Sequence, residues 1–211
     1  MPLRTRRITG FVAASLLGVG LAVSGTGPAS ALPSARLVPV PKNVNISRSS
    51  GNQSESAIAI QKTNTLNVTN TNNVEAGSGL FHGWSTDGGA TWQTPISIPN
   101  SPQWGTLDVA SNGNLFIGGG DSGSSFWCIR STNAQNPAVT PTFDQVTTVN
   151  MGGSLWYGPP VNPDGLAGQI FLVVDRSGGP TNNNIYMMAS VRPTGFSTGT
   201  DVMFAGAPMA D

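Results

Sequence analysis

From Gly51 onward, short apolar runs alternate with clusters of Gly, Asn, Ser, Thr and Pro, and their centres recur about every ten residues, the spacing of antiparallel all-β architecture. The runs are Ala57–Ile60, Leu66–Val74, Gly79–Trp84, Trp92–Ile98, Leu107–Ala110, Leu115–Gly118 and Phe126–Arg130. The composition offers almost nothing for an amphipathic helix. Gly occurs 27 times and Pro 16 times, charged residues make up 9% of the chain, and Asp far outnumbers Glu. Turns and short strands are what such material builds.

Within this pattern lies a repeat. Phe81-His82-Gly83-Trp84-Ser85-Thr86-Asp87 is followed by Thr91-Trp92-Gln93. Downstream, Phe126-Trp127-Cys128-Ile129-Arg130-Ser131-Thr132-Asn133 leads, after an insertion carrying Pro137 and Pro141, to Thr142-Phe143-Asp144. Ser85 and Ser131 are separated by the length of one four-stranded propeller blade, roughly 40 to 50 residues. A third unit runs from Gly168 to Val174, through Asn182–Asn184, to Ile185–Ser190, and Asp201–Phe204 then stands where the strand before another such hairpin would come. The count is about two and a half blades, whereas closed propellers have about four to eight. The last unit's unpartnered face is therefore expected to leave Ile170, Leu172, Tyr186 or Met188 exposed and to favour self-association.

Ser85-Thr86-Asp87-Gly88-Gly89-Ala90-Thr91-Trp92 fits the pattern S-x-D-x-G-x-T-W at every defined position. It resembles the Asp-box, or BNR repeat, of bacterial sialidases and related propeller families. More loosely, Gly51-Asn52-Gln53-Ser54-Glu55 with Ala57–Ile60 looks like an opening strand of that group, and Asp175-Arg176-Ser177-Gly178-Gly179 like a later blade. The resemblance implies an all-β fold over residues 51–211, a partial β-propeller of about two to three four-stranded antiparallel blades. It makes Ser85, Asp87, Gly89, Thr91 and Trp92 a structural hairpin: the carboxylate accepts hydrogen bonds from the turn, the glycines permit positive φ, and the indole packs beneath.

A sialidase would hold a substrate carboxylate with three arginines, attack with a Tyr activated by Glu, and use an Asp as acid/base. The F/Y-R-I-P segment that usually supplies the first arginine is absent, and beyond the leader the arginines are Arg36, Arg48, Arg130, Arg176 and Arg192. Tyr157 and Tyr186 are the only tyrosines and Glu55 and Glu75 the only glutamates, so spacing selects no nucleophile pair and no catalytic residue is assigned. Three residues are candidates for binding. Asp175 and Arg176 end an apolar run where loops reach a rim, and Tyr157, in Trp156-Tyr157-Gly158-Pro159-Pro160, offers an aromatic for stacking on a sugar; a turn salt bridge and a packed turn are the competing structural roles. Two functions follow from the resemblance: a secreted sialidase-like protein, a fragment of an exo-sialidase or related glycoside hydrolase, or a non-catalytic extracellular module that binds glycan or protein.

The N-terminus sets the compartment. Arg4, Arg6 and Arg7 precede an apolar stretch from Ile8 to Val23, and Ala29-Ser30-Ala31 closes it, the order of a secretory signal peptide over residues 1–31. The apolar run falls short of the ~20 residues that a spanning helix needs. Residues 32–50, with Pro33, Pro39 and Pro41, read as a linker. The chain has 10 basic and 10 acidic residues, so losing the leader's three arginines leaves a mildly acidic product without a basic cluster. Nucleic acid and anionic membrane surfaces are thereby disfavoured as partners, and an extracellular location is expected. Cys128 is the single cysteine, so no internal disulfide forms, and its apolar neighbours suit a buried structural thiol. His82, the one histidine, has no ligand at metal spacing, and neither metal nor cofactor is expected.

Overall fold

In the computed structural model, residues 46, 57–62, 64, 68–73, 79–121, 124–155 and 169–208 are described; the leader, nearly all of the 32–50 linker and Tyr157 lie outside them. The described residues contain strands and no helix. Strands β1 (Ala57–Ile60), β2 (Val68–Asn73), β3 (Leu80–Ser85) and β4 (Ile96–Ser97) form one antiparallel meander. A second comprises β5 (Gln103–Val109), β6 (Leu115–Gly120), β7 (Phe126–Ser131) and β8 (Gln145–Thr148). The third sheet holds β9 (Gly153–Leu155), β10 (Ile170–Val174), β11 (Ile185–Pro193) and β12 (Asp201–Ala207).

The third sheet departs from a simple meander in a way its register explains. Strand β12 occupies one edge of β11 from Ile185 to Val191. On the other edge, Leu155 of β9 faces Val191 and Ile170 of β10 faces Ala189. The two short strands therefore lie end to end as one interrupted strand, and residues 156–168, between them, are outside the description.

Alternation along the strands assigns each face. In the second sheet Leu107, Val109, Leu115, Ile117 and Ile129 point toward the first sheet and form a core with Leu80, Ile98, Ala57 and Ala59. The intervening residues point the other way: Phe116 and Phe126 pack on Ile170, Leu172, Val174, Met187, Ala189 and Val191 of the third sheet. Strand β6, covered on both sides, is buried at every position, and its unbroken Leu-Phe-Ile-Gly-Gly-Gly run is the pattern of a two-sided strand. Strand β5 of the second sheet lies between β1 of the first and β10 of the third.

Register also corrects one expectation. Ile170 and Leu172 are 0% and 3% exposed, whereas Phe171, Val173, Met188 and Phe204 are 49%, 54%, 44% and 67% exposed. Ile170 pairs with Ala189 and Phe171 with Met188, so Ile170 and Leu172 share a face with Met187 and Ala189, not with Tyr186 and Met188. The expected set mixed the two faces of the sheet, because a one-residue difference in register exchanges them. Trp92–Ile98, expected as a strand, is paired only at Ile96–Ser97. Trp92 instead turns inward, and Pro95 and Pro99 limit the ladder on either side.

Candidate functional site

The octapeptide forms the turn between β3 and β4. Ser85 is buried at the end of β3; its hydroxyl donates to Asp87 Oδ1 (2.8 Å) and accepts from the Gly89 N–H (2.9 Å). Asp87 Oδ1 also accepts from the Thr91 N–H (2.9 Å), and Oδ2 from the Thr91 hydroxyl (2.6 Å). Gly88 and Gly89 take φ of 73° and 88°, which side chains disfavour. Trp92 folds under the turn, donating from Nε1 to the Gly89 carbonyl (3.1 Å), while Gln93 N–H returns to the Trp84 carbonyl (2.9 Å).

The second copy has the same wiring in different residues. Ser131 donates to Asn133 Oδ1 (3.0 Å) and accepts from the Ala134 N–H (3.1 Å); Thr142 N–H donates to Asn133 Oδ1 (2.8 Å), and Asp144 N–H to the Arg130 carbonyl (3.0 Å). Asn133 thus stands for Asp87, Thr142 for Thr91 and Phe143 for Trp92, the insertion bulging out between Asn133 and Thr142. His82 lies between these two hairpin regions. It is 0% exposed, hydrogen-bonded through Nδ1 to the Thr69 hydroxyl (3.1 Å), stacked on Trp84 and edge-on to Phe143. Its position makes it a packing group of the first two sheets.

In Asp87 the Thr91 hydroxyl and N–H, with the Ser85 hydroxyl, hold the carboxyl down to about 2. A folded-state value below the unfolded one means stability that is complete above the unfolded pKa, about 3.9, and lost as pH falls toward about 2. Asp87→Asn, which copies the second hairpin, is expected to flatten the melting temperature's dependence on pH between about 4 and 2. Asp144 and Asp175 are lowered too and keep part of the slope. Thermal melts across that range check this; an unchanged slope would place the acid sensitivity elsewhere.

The binding candidates separate on folding. Asp175 serves its own loop: its carboxylate accepts from the Thr181 hydroxyl (2.6 Å) and the Ser177 N–H (2.7 Å), which lower its pKa. Arg176 points to the second sheet, ion-paired with Asp108 and donating to the Val109 carbonyl (2.7 Å). Asp108 Oδ2 also accepts from the Val174 N–H (2.9 Å), and the Thr106 hydroxyl from the Leu172 N–H (2.7 Å). Side chains of β5 thereby cap the unpaired edge of β10. The turn salt bridge expected as one role of Asp175-Arg176 is therefore not formed; Arg176 pairs across sheets with Asp108 instead. Thr106 and Asp108 were not singled out in the sequence; their only signal was alternation with apolar residues in one strand.

Between β7–β8 and β11–β12 lies a cleft of about 400 Å³. Phe116, Cys128, Ile185 and Met187 line it, and Arg130, Gln145, Thr147 and Asn150 contribute polar groups. Arg130 is bonded through Nε (2.9 Å) and Nη2 (2.8 Å) to Asp144 Oδ2. Partial burial raises the Asp144 carboxyl, but Arg130 and the Thr132 N–H outweigh it and leave the pKa lowered. Cys128 is half-buried, and desolvation pushes its thiol up to about 11, so it is protonated at neutral pH. Among the described residues no group of three or more His, Cys, Asp or Glu side chains is placed to hold a metal ion.

No protein-family model matches the chain, and no curated protein matches it significantly.

Proposed function

We propose that this chain is an exported, propeller-type module of the sialidase-like group that binds a neutral glycan in the cleft between its second and third sheets, without hydrolysing sialosides. One observation carries the reading: the described arginines are dispersed, and two are already engaged by aspartates. Arg130 pairs with Asp144 and Arg176 with Asp108, while Arg192 faces Ser154, at the end of the third sheet away from Arg176. A triad that grips a substrate carboxylate needs convergent guanidinium groups. The octapeptide and its rewired second copy support the kinship, and the leader supports export.

The cleft suits a sugar without a carboxylate. Its apolar lining accepts a C–H face, its hydroxyl and amide groups match sugar hydroxyls, and the Arg130 charge is offset by Asp144. Calorimetric titration with neutral and sialylated oligosaccharides tests this. The expected result is binding of the neutral series, weakened at least about tenfold by Thr147→Trp, which fills the rim. Turnover of a fluorogenic sialoside that disappears in Arg176→Ala would overturn the proposal and restore the hydrolase reading.

A further inference from the structure

The two wired hairpins put the first and second sheets in a common frame, and the cleft lies where the two copies differ. Counting back from Ser85 and Ser131, Trp84 corresponds to Arg130 and His82 to Cys128. Between the first and second sheets the two rings stack on each other, His82 meets Phe143 edge-on, and a space of only about 20 Å³ remains beside Trp84. Between the second and third sheets a thiol and a guanidinium stand in place of the rings, and the cleft measures about 400 Å³. The opening is thus a departure from the repeat at two positions of β7.

A second departure accompanies it. Trp92 corresponds to Phe143, so Gln93 corresponds to Asp144, and each closes its hairpin with a backbone bond: Gln93 N–H to the Trp84 carbonyl (2.9 Å), Asp144 N–H to the Arg130 carbonyl (3.0 Å). The wiring therefore asks for no ion pair at these positions, and the first hairpin has none there. Ion pairs that remain partly in water add little to stability, and the Arg130 and Asp144 side chains are 18% and 33% exposed. What the pair does change is the cleft. Among the described residues that line it, Arg130 alone is charged. Asp144 Oδ2 accepts from both Nε (2.9 Å) and Nη2 (2.8 Å), which occupies one of the edges with which a guanidinium grips a carboxylate in two parallel bonds. Asp144 Oδ1 accepts from the Thr132 N–H (2.9 Å), so the carboxylate is anchored to the hairpin and does not follow Arg130 toward a ligand.

We propose that Asp144 is the specificity-determining residue of this cleft: by holding the Nε–Nη2 edge of Arg130 it denies anionic ligands that guanidinium and selects uncharged ones. The proposal deepens, and rests on, the neutral-glycan reading of the same site. Asp144 acts through Arg130 and is a positioning residue. Without it the cleft would carry an uncompensated cation and favour acidic sugars.

Cys128, the single cysteine of the chain, lines the cleft two residues from Arg130 and reports its charge without any choice of sugar. The full chain is alkylated with iodoacetate and with iodoacetamide, reagents of the same size and chemistry that differ in charge, and the ratio of the two rates is read. Any change in the thiolate fraction acts on both reagents alike and cancels. Asp144→Asn is expected to raise the ratio about tenfold, since a lone cation concentrates anions locally. The substituted amide keeps an oxygen for the Thr132 N–H, and Asp144→Gln, which copies Gln93, is the second route if that variant fails to fold by circular dichroism. Adding Arg130→Met is expected to bring the ratio back toward the wild-type value. An unchanged ratio in Asp144→Asn, a rise that survives Arg130→Met, or a wild-type ratio already well above that of N-acetylcysteine would overturn the proposal. Failure of every neutral oligosaccharide to bind would instead strike the glycan reading, while the alkylation ratio would still decide whether Asp144 sets the charge preference.

Discussion

Replacing Trp92 with alanine is expected to lower stability by about 3–5 kcal/mol, the cost of removing a large buried aromatic. The indole is 5% exposed, lies against Gly83 and Gly89, and donates to the Gly89 carbonyl. Its loss opens a cavity under the β3–β4 turn and frees the backbone that Asp87 and Ser85 organise. For a domain whose total stability is typically about 5–15 kcal/mol, that loss reaches a large fraction of the whole. Urea unfolding followed by fluorescence of the remaining tryptophans measures it. Trp92→Phe should cost much less, since Phe143 fills the equivalent place in the second hairpin, and only the indole hydrogen bond, worth about 1 kcal/mol, is forfeited. If the alanine variant loses under about 1 kcal/mol, the turn is held by its polar network alone.

Gly105→Ala, a change of one methyl group, is expected to cost about 3 kcal/mol, at the upper end for overpacking. Strand β5 carries a bulge: Gln103 pairs with Gly120 and Thr106 with Gly118, so three steps on one strand face two on the other. Trp104 takes φ of 51° there, and a Cβ on Gly105 would stand 1.9 Å from the Gly118 carbonyl oxygen. The obstructing atom is backbone of the paired strand, so relief requires the strands to part. Thr106 and Asp108 lie just beyond the bulge, and shifting them loosens the clamp on β10 as well. Gly178→Ala is the control. It has φ of 75° with nothing within 4 Å, so only the backbone conformation is penalised, about 1 kcal/mol. Equal losses in the two variants would show that the bulge relaxes freely.

Much of the strand order was legible in the chain. Ala57–Ile60 and Ile170–Val174 stand where the sequence put them, because apolar runs bounded by Asn, Gly and Pro are local signals. Strands β8 (Gln-Val-Thr-Thr) and β9 (Gly-Ser-Leu) were not legible. Neither has an apolar run of its own, and each is a strand only because β7 or β11 offers it a ladder. The hairpin residues Ser85, Asp87, Gly89, Thr91 and Trp92 were readable together for the reason that made β1 readable: their bonds span at most four positions.

What the sequence determined by itself, then, is local: strands about ten residues apart, and a turn at Ser85–Trp92 whose polar atoms satisfy one another within four residues. Only the tertiary structure decided that Arg176 answers to Asp108, 68 residues away, and not to its neighbour Asp175. It also decided that Phe171 and Val173, not Ile170 and Leu172, face outward. Alternation divides a strand into two faces but carries no mark of which one is covered. That choice is made by cross-strand register and by the sheet that packs alongside, both set by contacts between segments distant in the chain.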